Sequence, residues 1–138
     1  MRTFVLAASL ALAVATPALA ADPVEGEWLT QDKMGKVLIG PCSTNPDLMC
    51  GTISAVNDKT KTTDANNPDP ARRSRPLMGM PIVRDFKKAG PGRWTGGKIY
   101  DPKNGKSYDS KMSIKPDGTL KVEGCVLFVC QAQTWTRG

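Results

Sequence analysis

The sequence predicts an all-β protein: eight antiparallel strands in an up-and-down barrel, with a long loop between strands three and four. Three observations carry that prediction. Beyond residue 20 no ten-residue stretch has helical periodicity, alternation with period two recurs, and turn residues punctuate the chain at even spacing. Eight strands without helical partners need two facing sheets or one closed sheet, and closure leaves no edge open to aggregation.

Before the first strand, Met1-Arg2 precedes an apolar run from Phe4 to Ala15, then Pro17 and Ala18-Leu19-Ala20, small at both specificity positions of a signal-peptidase site. A membrane span needs about 20 apolar residues, and this run is shorter. A cleaved signal peptide over residues 1–20 and a single domain over 21–138 are therefore expected, with the product periplasmic or secreted. Cleavage leaves 118 residues at formal charge +5, since Arg2 is the only charge removed from +6. A chain of that size builds one modest core.

Strands are expected near 25–30, 36–41, 49–56, 81–88, 92–100, 106–114, 118–124 and 130–137. Gln31 to Gly35 closes the first hairpin, Gly90-Pro91-Gly92 and Pro116-Asp117-Gly118 are turns, and Asn104-Gly105 is the strongest short hairpin signal in the chain. In the sixth strand Tyr108, Met112 and Ile114 share one face against Asp109 and Lys111 on the other. In the seventh, Leu120 and Val122 oppose Lys121 and Glu123.

Cys42, Cys50, Cys125 and Cys130, an even number in an exported chain, read as two disulfides. Three pairings are possible. Cys42–Cys50 and Cys125–Cys130 are favoured because short loops close readily, although loop entropy alone does not choose between local and long pairings. Neither the spacing nor the absence of histidine fits a zinc site, so no metal is expected. Between the last two cysteines, Val126-Leu127-Phe128-Val129 is either a buried loop pinned by its disulfide or an apolar lip at a barrel mouth, and clustered apolar residues are usually packed.

Residues 57–76 show no strand alternation, and Pro68, Pro70 and Pro76 exclude an interior ladder. Asn66, Asn67 and Asp69 supply side-chain turns, so the loop has means to hold a shape, and the apolar residues from Leu77 to Val83 are expected to pack back on the barrel. Arg72, Arg73 and Arg75 then either hold a carboxylate or phosphate, or pair with Asp64 or Asp69 and face water. With Asn67 and Asp69 they form one candidate ligand-binding group. A second is Lys98, Tyr100, Asp101 and Tyr108 around the Asn-Gly hairpin, the two tyrosines being alternatively cross-strand packing. Trp94 and Met112 are expected to face inward, towards an apolar ligand.

Gly26-Glu27-Trp28 opens the first strand and Trp135-Thr136-Arg137 ends the last. In a closed barrel those strands are neighbours, so Arg137 can lie over the Trp28 indole in a structural role. The pair resembles the Gly-x-Trp and terminal arginine of the calycin superfamily, which includes lipocalins and avidins. A fuller resemblance covers most of the chain: Gly26-Glu27-Trp28-Leu29, Cys42 to Ile53, Asn66 to Pro70, Arg75-Pro76-Leu77-Met78-Gly79, Trp94 to Pro102, Gly105 to Tyr108 and Thr134 to Arg137, in that order, are similar to the domain of unknown function 2147 family. That resemblance implies a small exported bacterial protein with a lipocalin-like barrel, and it implies no activity.

Catalysis is not expected. Without histidine the usual acid–base group near neutral pH and the triads built on it are missing, and paired cysteines leave no thiolate. Glu25, Glu27, Asp101 and Asp109 lie in no two-carboxylate pattern, and the chain has no phosphate-cradling glycine loop. No cofactor is expected, and no nucleic-acid partner, because an exported chain with dispersed basic residues has no access to one despite a pI near 9.3. The remaining functions are a barrel that binds a small apolar or acidic molecule, or a filled barrel that contacts an envelope surface or protein through its loop and lip.

Overall fold

The computed structural model describes residues 10–14 and 21–138. Apart from residues 10–14, the expected leader and its cleavage point after Ala20 lie outside the described residues. Eight strands follow in order: β1 Gly26–Leu29, β2 Gly35–Pro41, β3 Leu48–Val56, β4 Pro81–Gly90, β5 Arg93–Asp101, β6 Lys106–Ile114, β7 Leu120–Val126 and β8 Val129–Arg137. Each pairs antiparallel with the next, and β1 pairs with β8 through Trp28↔Arg137 and Leu29↔Thr136, so the sheet closes into the expected up-and-down barrel. The one helical turn among the described residues is Pro70–Arg72, a 3₁₀ turn inside the long loop, capped by the Asp69 carboxylate, which accepts from Ala71 N at 3.0 Å.

Period-two burial sets the wall. Val37 and Ile39 on β2, Met49, Gly51 and Ile53 on β3, and Leu120 and Val122 on β7 alternate inward, and Ile39, Met49 and Leu120 with Trp28, Phe86, Trp94 and Met112 fill one end of the barrel. Residues 21–25 plug that end. Val24 is fully buried, its carbonyl accepts from Trp28 Nε1 at 2.8 Å, and the Asp22 carboxylate accepts from Lys88 Nζ at 2.6 Å and Trp94 Nε1 at 3.2 Å.

Arg137 seals the seam. Its guanidinium carbon lies 3.9 Å from the centre of the Trp28 ring while Nη1 donates to Glu25 O at 2.8 Å and Nη2 to Pro23 O. Gly26 sits beneath it at φ 120°, and a Cβ there would come within 2.9 Å of Arg137 Nη1. The glycine and tryptophan of Gly-x-Trp therefore receive the same arginine.

Both disulfides take the favoured local pairing, Cys42–Cys50 and Cys125–Cys130. The second corrects the expectation of a buried loop over 124–130. Cys125 and Cys130 stand opposite each other in the ladder, and Val126 pairs with Val129, so the ribbon continues to a two-residue tip at Leu127-Phe128. A tip that short cannot fold back on the wall. Leu127 is 89 % exposed and Phe128 101 %, with Val126 and Val129 largely exposed beside them. The lip reading is the one the structure holds.

Candidate functional site

The other end of the barrel is open. Its rim is built by the β1–β2 turn, the 57–80 loop, the β5–β6 turn and the β7–β8 tip, around a cavity of about 1130 Å³. The volume exceeds the ordinary range of small-molecule sites, about 300 to 1,000 Å³, in part because the mouth is wide. Deep in the cavity the wall is apolar: Val37, Ile53, Ile82, Ile99, Val122 and Trp135. Nearer the rim Tyr108, Gln131 and Gln133 add polar groups, and Asp32, Lys61 and Lys103 ring the entrance.

The long loop is a folded structure anchored at a buried carboxylate. Asp64 is wholly buried, and its Oδ1 accepts from Tyr100 Oη at 2.6 Å and Oδ2 from Asn67 Nδ2 at 2.8 Å, with Arg75 Nη2 at 3.7 Å. Thr63 and Pro76 form an isolated antiparallel bridge that brings the two arms of the loop together. Burial, and then the hydrogen bond and negative charge of Asp64, push the Tyr100 hydroxyl from its ordinary 10.0 up to about 12. A second anchor joins the loop to the β5–β6 turn, where Asn66 Nδ2 donates to Pro102 O at 3.2 Å and Lys103 O at 3.1 Å. Gly105 makes this approach possible: at φ 69° a Cβ would fall 1.9 Å from Asn66 O. Leu77, Met80 and Ile82 bring the end of the loop back to the core as expected, while Met78 stays exposed.

The candidate residues consequently separate. Tyr100 and Tyr108 line the cavity. Asn67, Asp69, Arg72, Arg73 and Arg75 do not; Arg73 Nε donates to Asn67 O at 2.8 Å, Arg72 pairs with Asp69 at 3.4 Å, and Arg75 faces Asp64, so each guanidinium already serves a group of its own loop. Lys98 pairs with Asp109 away from the cavity. Trp94 and Met112 face inward as expected but are packed in the plugged half, outside the cavity lining, where Trp94 bonds Asp22. Sequence reasoning missed Gln131, Gln133 and Trp135, whose i, i+2, i+4 spacing on β8 was the signal for one shared inward face.

Lys103 Nζ reaches Asp32 Oδ2 at 2.7 Å, joining the tips of two hairpins that are not neighbours in the strand order. Burial raises the Asp32 carboxyl, but hydrogen bonds from Lys103, Met34 N and Thr30 outweigh it, leaving Asp32 below the usual carboxylate range. Hydrogen bonding to Asp32 in turn holds the Lys103 ammonium above its usual value. The pair is partly exposed and so is a weak, breakable strap beside the entrance.

Residues 26–137 match the profile of a family described as "Uncharacterized protein conserved in bacteria (DUF2147)". The chain belongs to the DUF2147 family. Its barrel is similar to a solved structure described as "Protein HP1028 from the human pathogen Helicobacter pylori belongs to the lipocalin family", with 22 % identity over 86 % of this chain and 84 % of that one and a TM-score of 0.73. At that identity the likeness is one of fold. No curated protein matches the chain. Two disulfides in this DUF2147 barrel fit a location outside the cytoplasm.

Proposed function

We propose that the protein is an exported, non-catalytic carrier of a small amphipathic molecule, apolar part inward and polar or acidic end at the mouth. One observation carries this reading: the plugged half of the barrel is filled by its own aromatic groups, whereas the open half keeps a cavity of about 1130 Å³ graded from apolar floor to polar rim. Tyr100, Tyr108, Gln131 and Gln133 are the groups placed to fix the ligand's orientation, and Lys61 and Lys103 supply positive charge for an acidic end. The absence of histidine and of free thiols supports the non-catalytic part.

Native mass spectrometry of protein purified from the periplasm tests the proposal. Excess mass that is lost on denaturation is expected. A ligand at a hundredfold excess over Kd also adds about 2.7 kcal/mol of stability, which a thermal shift detects. A clean apo mass, together with no thermal shift across fatty acids and acidic metabolites, overturns the carrier reading.

Lys103→Ala is expected to leave the melting temperature within a few degrees, because an exposed pair contributes about 0 to 1 kcal/mol, and to speed dissociation of a fluorescent fatty-acid probe several-fold. Stopped-flow release from wild type and variant makes the comparison. Equal rates remove the strap from the entrance.

A further inference from the structure

We propose that the open end docks on an anionic lipid bilayer, with the Leu127-Phe128 tip entering the headgroup–acyl boundary. The inference concerns a partner of the same end that holds the cavity, but it does not require the cavity to be occupied.

The tip has no packing role of its own. Leu127 and Phe128 are almost wholly exposed, they lie outside the cavity lining, and Val126 and Val129 beneath them face the mouth. Exposed apolar residues scattered singly are ordinary, but four in succession at a projecting point mark an interaction site. The ribbon is built to project. β7 keeps its last pairing with β6 at Cys125↔Asp109, β8 pairs with β1 only at residues 136 and 137, and the Cys125–Cys130 bridge ties the two strands at the base of the tip. Leu127 adopts φ 54°, the left-handed conformation that a two-residue hairpin loop between the paired Val126 and Val129 requires at its first position. Met34, also exposed, tops the adjacent β1–β2 hairpin and adds apolar surface to the rim.

Charge selects the occupant. The connections at the open end, residues 30–34, 57–80, 102–105 and 127–128, carry seven basic side chains and four acidic ones. Those at the plugged end, 21–25, 42–47, 91–92 and 115–119, carry one basic and four acidic. Lys88, Arg93 and Arg137, which bond Asp22, Ala89 O and the carbonyls of Pro23 and Glu25, bring the plugged end to neutrality, so the net positive charge lies at the end that bears the apolar point, and a negatively charged surface orients that end towards itself. A narrow two-residue tip offers little area to a shaped protein pocket, whereas a fluid interface accepts it without complementarity. Docked in this pose, the cavity mouth faces the bilayer, which is where an amphipathic ligand would partition.

Cosedimentation with vesicles of phosphatidylcholine and phosphatidylglycerol, compared with phosphatidylcholine alone, tests the proposal on the full mature protein. Binding to the anionic vesicles is expected, weakened by salt and reduced at least tenfold in the double variant L127S/F128S. Because those side chains are exposed, the variant should keep the wild-type melting temperature, which separates lost docking from lost fold. The emission of a Phe128→Trp variant should shift to the blue on adding anionic vesicles. No vesicle binding, binding that L127S/F128S leaves unchanged, or a blue shift that follows protein concentration without lipid, as for a second copy on the tip, each overturns the proposal. Vesicle binding with a clean apo mass and no thermal shift leaves docking standing and removes the carrier reading; cargo without vesicle binding does the reverse.

Discussion

Replacing Trp28 by alanine is expected to lower the stability of the barrel by about 3 to 5 kcal/mol, a large share of the roughly 5 to 15 kcal/mol by which a domain is stable. The indole is wholly buried at the strand pair that closes the sheet, and three losses coincide there. The void left in the core forfeits apolar burial. Val24 O loses the donor at 2.8 Å that fixes the terminal plug, and Arg137 loses the ring beneath its guanidinium. Arg137→Ala keeps the first two but removes the ring contact together with the bonds to Glu25 O and Pro23 O, and at this exposed site should cost about 1 to 3 kcal/mol. Trp28→Phe keeps most of the ring but not the Nε1 bond, and should fall between them. Urea unfolding resolves the order, provided the m-value stays constant. A Trp28→Ala variant as stable as wild type would mean that the seam is held by some other group.

The barrel was legible because its determinants are local. Alternation and turn residues act over two to five positions, and the expected strands agree with the observed ones to within two residues at their ends. Closure was legible for a different reason: an up-and-down order leaves the first and last strands as the only ones without a second neighbour, so Gly26-x-Trp28 and Arg137 had one place to meet. What failed depended on groups far apart in the chain. Nothing near Asp64 indicates that Tyr100, 36 residues on, will bury it, so the sequence leaves open whether the nearby arginines hold a ligand or pair with Asp64 and Asp69, and the folded loop takes the second course. For the apolar run after Cys125, composition favours a buried loop over an apolar lip. The register that sets Cys125 against Cys130 leaves room for two residues only, and geometry outweighed hydrophobicity.

A carboxylate deep inside a surface loop makes the second large effect. Asp64→Ala should destabilise the protein by about 3 to 5 kcal/mol, the usual cost of removing one member of a buried charged network, because Tyr100 Oη, Asn67 Nδ2 and Arg75 lose their shared acceptor. Most of that cost should appear as local opening, since the loop is attached to the barrel through a few contacts and can release while the strands stay paired. Amide hydrogen exchange should therefore quicken over residues 57–80 and remain slow in β2 and β7. Tyr100→Phe removes one donor and leaves the other two, so about 1 to 2 kcal/mol is expected. Burial of the Tyr100 hydroxyl, and then its bond to Asp64, give the loop an alkaline limit. Folding raises the Tyr100 hydroxyl from 10.0 to about 12, so the folded state holds that proton more tightly. Its stabilisation is fully present below pH 10 and disappears as pH rises through about 12, when a tyrosinate would face the Asp64 carboxylate. With only two tyrosines in the chain, tyrosinate absorbance can follow the late titration, which should vanish in Tyr100→Phe. If exchange over 57–80 is unchanged in Asp64→Ala, the loop is held by the Asn66 contacts at Gly105, and the buried carboxylate is not its anchor.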